Sequence, residues 1–128
     1  MAADRQTPDL GPLGESLAAR FVEGLEWRVL ARNYRARGGE IDLVAEDQGE
    51  IVFIEVKTQS QATLGEPEDR VAPVKQRRLA RAALQYAREK RLDGRAFRFD
   101  VVAIVMTAQG PRVSHYRDAF NLPRGLDG

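Results

Sequence analysis

Three residues in the middle of the chain, Asp42, Glu55 and Lys57, carry charge where the local pattern asks for core side chains. They sit in two strand-like segments, Gly39-Glu40-Ile41-Asp42-Leu43-Val44 and Ile51-Val52-Phe53-Ile54-Glu55-Val56-Lys57. From Glu40 to Val56 there are six acidic residues and no basic one. Burying an unpaired carboxylate is costly, so such a group keeps a partner or a cation. Two such carboxylates on neighbouring strands are the ligand set of a divalent metal ion.

The hairpin reading brings the acids together. Asp47-Gln48-Gly49-Glu50 is a polar stretch with glycine between two apolar runs, which predicts a tight turn. With Gln48 and Gly49 as the loop, Asp47 pairs with Glu50, Asp42 falls opposite Glu55, and Glu40 falls opposite Lys57. Strand alternation then puts Glu40 and Asp42 on one face, with Ile41 and Leu43 on the other. Glu55 and Lys57 share a face with Phe53. Facing side chains lie about 5 Å apart, where like charges repel and a cation between them relieves the repulsion.

These residues must be positioned by a single domain. The chain has 128 residues, 43% of them apolar and 30% charged, with a net charge of +1 and no cysteine. That length supports one core. The absence of cysteine excludes disulfides and thiolate metal sites. The apolar run Val101–Met106 is far too short to cross a bilayer, and the polar first dozen residues lack a signal-peptide core. The reading is a cytoplasmic protein with no membrane partner. It has a flexible segment at 1–11, a domain at 12–120 and a loose tail at 121–128.

The charge is unevenly spread. Arg28, Arg32, Arg35 and Arg37 precede the acidic hairpin, and residues 70–91 carry eight basic residues against one acid, Glu89. An acidic centre with basic flanks is the layout of a metal-dependent enzyme acting on phosphates. The plainer alternative is a solvated helix face.

Hydrophobic spacing predicts a helix over 13–23, with Leu13, Leu17, Phe21 and Leu25 in register and Gly24 as a stop. Ala18, Ala19 and Val22 form a stripe of modest bulk that would let this helix lie close to another element and carry Glu15 toward the sheet. Glu15 also suits the helix dipole. A strand over 27–32, a loop from Asn33 to Gly38, the hairpin and a polar loop from Thr58 to Glu68 follow. Residues 72–91 read as the longest helix: Pro73 begins it, Leu79, Ala82, Ala83 and Tyr86 form its buried stripe, and Gly94 closes it. Lys75 and Arg78 edge that stripe and would point over the sheet. Strands at 97–106 and 112–117 complete an α/β domain, with the long helix as a crossover between parallel strands. His115 is the only histidine and cannot build a usual zinc site without cysteines.

The spacing Asp42…Glu55-Val56-Lys57 resembles the PD-(D/E)xK nuclease superfamily. Gly14-Glu15, Asn33, Gly39-Glu40-Ile41-Asp42, Phe53–Lys57, Gly65, Lys75 and Arg98-Phe99-Asp100-Val101-Val102 together resemble the bacterial YraN family over roughly residues 12–120. That family is endonuclease-like and related in fold to archaeal Holliday junction resolvases. The resemblance implies a restriction-endonuclease-like α/β fold, a mixed sheet of about five strands flanked by helices. It implies Asp42 and Glu55 as metal ligands, Lys57 as the residue positioning the attacking water, and Glu15 as the helix-one glutamate that such resolvases use. The family carries a basic residue where Gln59 stands here, so no phosphate contact is assigned there.

The activity expected from these readings is Mg²⁺- or Mn²⁺-dependent hydrolysis of DNA, in recombination or repair. Asp42, Glu55 and the Val56 carbonyl would hold the ion, with water completing its shell. Lys57 would orient the nucleophile and stabilise the developing charge. Glu40 is either an outer ligand or an ion-pair partner of Lys57. Arg35, Arg37, Lys75 and Arg78 are the expected phosphate contacts, which position a duplex without reading sequence. No base-reading helix or stacking platform is evident, so recognition of DNA structure, such as a branch or flap, is favoured. A resolvase-like activity would suit a homodimer. The alternative is a nucleic-acid-binding or DNA-processing accessory protein that keeps the fold and does not cut.

Overall fold

The computed structural model describes residues 11–60, 71–92 and 94–121. Of the flexible segment expected at 1–11 only Gly11, which opens the first helix, is described, and of the tail expected at 121–128 only Asn121; the part of the Thr58–Glu68 loop beyond Ser60 also lies outside the described residues. In chain order the elements are α1 (Gly11–Gly24), β1 (Arg28–Ala36), β2 (Gly39–Asp47), β3 (Glu50–Ser60), α2 (Pro73–Glu89), β4 (Phe97–Thr107) and β5 (Gly110–Phe120). The five strands form one sheet in the order β1-β2-β3-β4-β5. Every neighbouring pair is antiparallel except β3 and β4, which run parallel because α2 carries the chain back across the sheet. This is the mixed α/β sheet expected, in an arrangement consistent with a restriction-endonuclease-like fold. Among the described residues, no helix is long and apolar enough to cross a membrane.

The two helices define two cores, one on each face of the sheet. Under α2, Leu79, Ala80, Ala82, Ala83 and Tyr86 pack with Ile41, Val44, Ile51, Phe53, Phe99 and Val101. Ala18, Ala19 and Val22 of α1 pack with Leu43, Ala45, Val52, Ile54, Val102 and Ile104. The central strands are therefore buried on both faces, and complete burial of each Ile, Leu or Val contributes about 1.5–3 kcal/mol. The stripe that buries α1 is Gly14, Ala18, Ala19 and Val22, whereas Leu13 and Leu25 are exposed. Small residues won that face because the helix lies so close: a Cβ on Gly14 would overlap the Thr58 hydroxyl of β3.

Several boundaries differ from expectation: β5 spans Gly110–Phe120 where 112–117 is expected, and α2 ends at Glu89 with Arg91 at φ 55° turning the chain, well before Gly94. β1 runs on to Ala36 through the stretch expected to be a loop, because it pairs with β2 as far as Ala36↔Gly39. β3 likewise runs through Thr58 to Ser60, drawn out by its parallel pairing with β4 as far as Ser60↔Met106. The β2–β3 turn is as expected: Asp47 pairs with Glu50, and Gln48 and Gly49 take φ of 50° and 90°, the left-handed values of a type I′ hairpin.

Candidate active site

Asp42 sits where the pleat changes phase. In β1, Arg32 pairs with Leu43 and Tyr34 with Ile41, while the intervening Asn33 takes φ 53°. Arg32 reaches the Ser16 hydroxyl of α1. Tyr34, two residues on, meets the Tyr86 ring of α2 edge-on at 5.0 Å and donates its hydroxyl hydrogen to Glu89. Residues two apart thus face opposite helices, a reversal that a left-handed residue permits and that Asn tolerates better than most side chains. β2 does the same, with Leu43 in the core under α1 and Ile41 in the core under α2. This corrects the expectation that Ile41 and Leu43 share a face. At the crossover, Asp42 Oδ2 accepts the backbone N–H of Val56 at 2.8 Å, so its carboxylate satisfies the group that strand pairing would otherwise serve.

The result is an open cleft of about 780 Å³ between the β1–β2 end of the sheet and α2, lined by Arg35, Glu40, Asp42, Glu55, Lys75 and Arg78 among others. Gly38 and Gly39 let the hairpin tip close over the helix. Gly38 has φ 86°, and a Cβ on Gly39 would stand 2.6 Å from the Arg78 carbonyl oxygen. Within the cleft, Glu55 is almost fully covered, its side chain 7% exposed, and the Lys75 ammonium lies 2.7 Å from its Oε2. Burial, and then the charge of Glu55, push the Asp42 carboxyl up to about 7 against the opposing Val56 N–H; Glu15 raises it further from α1. The hydrogen bond to Glu55 raises Lys75 above an ordinary lysine, although burial pulls the other way.

Asp42, Glu55, Lys75, Arg78 and Arg35 are therefore brought together in one cleft. Glu15, half-buried on α1, is close enough to act on Asp42 but does not line the cleft. Lys57 follows two residues after Glu55, half-buried and engaged within the fold. Glu40 lines the cleft and stands opposite Arg35 of β1; the expected Asp42–Glu55 and Glu40–Lys57 register pairs fall outside the β2–β3 ladder, which runs from Asp47↔Glu50 to Leu43↔Ile54. Arg37 is exposed on the hairpin tip, its backbone N–H donated to Gln85, and lies off the cleft lining.

Among the described residues, no three His, Cys, Asp or Glu side chains form a ready-made metal cage. The donors that do converge are two carboxylates, an all-oxygen set with a raised acid that a cation would relieve. That chemistry fits Mg²⁺ or Mn²⁺, which are held by one or two carboxylates with water and substrate oxygens.

Sequence reasoning missed the Lys75–Glu55 ion pair. Its signal is a basic residue in the first turn of α2, where no acid stands and the helix dipole disfavours a cation. A second polar cluster lies under the α1 face. Arg98 bonds Asp100 through Nε at 3.0 Å and Glu50 through Nη1 at 2.7 Å. Asp100 also meets His115 at 2.8 Å and accepts the Asp118 N–H, offered by a bulge in β5. The lone histidine is thus a partner of a buried aspartate.

A mixed sheet with a helix on each face, and an acidic cleft with a basic rim beneath one of them, defines an α/β protein of the expected fold class. The chain belongs to the family described as "Uncharacterised protein family UPF0102", whose model matches residues 14–104, in agreement with the YraN resemblance. It is 46% identical over 114 residues to a UPF0102 protein of Geobacter metallireducens, covering 88% of this chain and 93% of that one. It is also 42% identical over 120 residues to one from Myxococcus xanthus, covering 94% and 95% of the two chains. A UPF0102 protein of Geotalea daltonii is 42% identical over 114 residues, covering 88% and 90%.

Proposed function

We propose that this protein is a metal-dependent nuclease of the PD-(D/E)xK type that hydrolyses phosphodiester bonds in DNA and selects branched or flapped structures over sequence. One observation carries the reading. Asp42 and Glu55 come together in an open cleft whose rim carries Arg35 and Arg78, with Lys57 two residues further along β3 and outside the cleft lining.

In this reading Asp42, Glu55 and the Val56 carbonyl hold Mg²⁺ or Mn²⁺. The bound ion would supply positive charge at the phosphoryl oxygens and acidify water. Lys57 orients the attacking water and offsets charge that develops on the phosphate. Glu15 supports the cluster from α1. Arg35 and Arg78, with Arg37 beside them, hold the DNA backbone through phosphates, so they give affinity and register without sequence preference. The cleft is open enough to admit a strand from the side, which suits a branched substrate better than a small molecule.

The test is cleavage of single-stranded, duplex, flapped and four-way DNA with Mg²⁺ or Mn²⁺. Asp42→Asn and Lys57→Ala should abolish cutting while retaining fold and most DNA binding. Equal cutting by those variants would refute the assignment. A non-cleaving DNA-binding accessory protein is the second reading, favoured by the Lys75–Glu55 pair, which already neutralises one acid. Binding without cutting on every substrate would establish it.

A further inference from the structure

We propose that Lys75 is a displaceable counterion of Glu55: a divalent cation exchanges with its ammonium, and the freed lysine then binds a DNA phosphate at the cleft rim. This rests on the metal reading of the cleft. The Lys75 Nζ lies 2.7 Å from Glu55 Oε2, in the space beside the carboxylate that an ion shared with Asp42 would claim. The two ends of the pair are unlike. The Glu55 side chain is 7% exposed and fixed in a central strand, whereas that of Lys75 is 55% exposed. A flexible four-carbon stem can therefore swing its ammonium outward without disturbing the sheet.

Local structure does not explain why a lysine stands here. It lies in the first turn of α2, at the positive end of the helix dipole, and no acid in that turn compensates it. The helix is anchored elsewhere, by Leu79, Ala82, Ala83 and Tyr86, so its position does not depend on the ion pair. What Lys75 does is neutralise one buried acid. One ammonium leaves the Asp42–Glu55 pair short of a charge that a doubly charged ion would supply, so exchange is favourable. Once displaced, Lys75 joins Arg35 and Arg78, which line the same cleft. Metal binding and phosphate binding are then reciprocally linked, each strengthening the other.

The experiment is calorimetric titration of Mn²⁺ into wild type, Lys75→Met and Lys75→Arg at pH 8.5, where protons compete little for the carboxylates. Lys75→Met should bind Mn²⁺ about fivefold more tightly or better, the worth of releasing one part-exposed ion pair, and Lys75→Arg should not. The second measurement is the salt dependence of binding to a duplex oligonucleotide in Ca²⁺ and in chelator. In wild type the ion should steepen the log–log slope by about one phosphate contact, and in Lys75→Met it should not. Equal or weaker Mn²⁺ binding by Lys75→Met would overturn the exchange while leaving the metal site standing. An absence of Mn²⁺ binding by all three proteins would overturn both. If Lys75→Met does not fold by circular dichroism, Lys75→Gln serves the same comparison.

Discussion

Replacing Asp42 by Asn should make the metal-free protein more stable at neutral and alkaline pH while destroying the proposed activity. Its carboxyl is pushed up to about 7, by burial first and the charge of Glu55 second, from an ordinary 3.8. A folded-state pKa raised in this way means the native state holds a proton that the unfolded chain has already lost. Stability should therefore fall as pH rises from about 4 to about 7, and level off above. At about 1.4 kcal/mol per pH unit the ceiling is about 4 kcal/mol. The cleft is open to water and Lys75 stands beside Glu55, so about 2 kcal/mol is the realistic share. Asparagine keeps an oxygen for the Val56 N–H and offers an amide hydrogen to Glu55, turning a repulsion into a hydrogen bond. In urea denaturation with a chelator present, Asp42→Asn should exceed wild type by about 2 kcal/mol at pH 8, and by little at pH 4. For a domain of this length that is a rise of very roughly 8 °C in melting temperature. Added Mg²⁺ should raise the melting point of wild type and leave the variant unmoved. A variant less stable than wild type at pH 8, with the same pH dependence, would show that the two carboxylates do not oppose each other.

Three further outcomes probe the hairpin tip at the cleft and the polar cluster on the other face of the sheet. A Cβ at Gly39 would stand 2.6 Å from the Arg78 carbonyl, which belongs to a helix backbone and cannot yield. Gly39→Ala should cost about 1–3 kcal/mol in urea denaturation and lift the hairpin tip from α2, whereas Gly49→Ala, with no close neighbour, should show only the cost of its positive φ. On the other face, Asp100 is 1% exposed, and removing Arg98 strips it of its main cation. Arg98→Met should destabilise by about 3–5 kcal/mol, and adding Asp100→Asn should recover part of that loss in a double-mutant cycle. Burial works against the Asp100 charge, yet the bonds from His115, Arg98 and the Asp118 N–H outweigh it and hold the acid below the usual range. Its stabilisation is present above about pH 4 and lost as pH falls through the folded value, so Asp100→Asn should flatten the acid limb of the stability curve.

The elements were legible because their signals are local. Alternation, an apolar run and a glycine-bearing turn specify β2, the Gln48–Gly49 hairpin and β3 within twenty-two residues. The stripe Leu79, Ala82, Ala83 and Tyr86 specifies the buried face of α2, and that helix lies between β3 and β4, which requires the parallel pair. What was not legible depends on long-range contact. Nothing near Asn33 announces a left-handed residue inside a strand, and without it simple alternation puts Ile41 and Leu43 on the same side. The continuation of β1 through Ala36 needs β2 as its partner, and that of β3 through Ser60 needs β4. Helical spacing puts Lys75 at the edge of the buried stripe, but whether it meets a phosphate or an acid depends on how α2 sits over β3.

The phase reversal at Asn33 and Asp42 is what turns a flat sheet into a site. With uninterrupted alternation, Ile41 and Leu43 would share one face and the Val56 N–H would be left to ordinary strand pairing. Because the pleat switches, the Val56 N–H is taken by the Asp42 carboxylate, and the strand ends part to leave the cleft. The hairpin tip, freed to bend, is caught by α2 through Tyr34 on Glu89 and the Arg37 N–H on Gln85. That clamp sets Arg35 and Arg78 on one rim. The same helix delivers Lys75 to Glu55 from its first turn. A break in one strand pair thus costs local regularity and places two like charges together, an arrangement that hydrophobic packing alone disfavours and that a bound cation would reward.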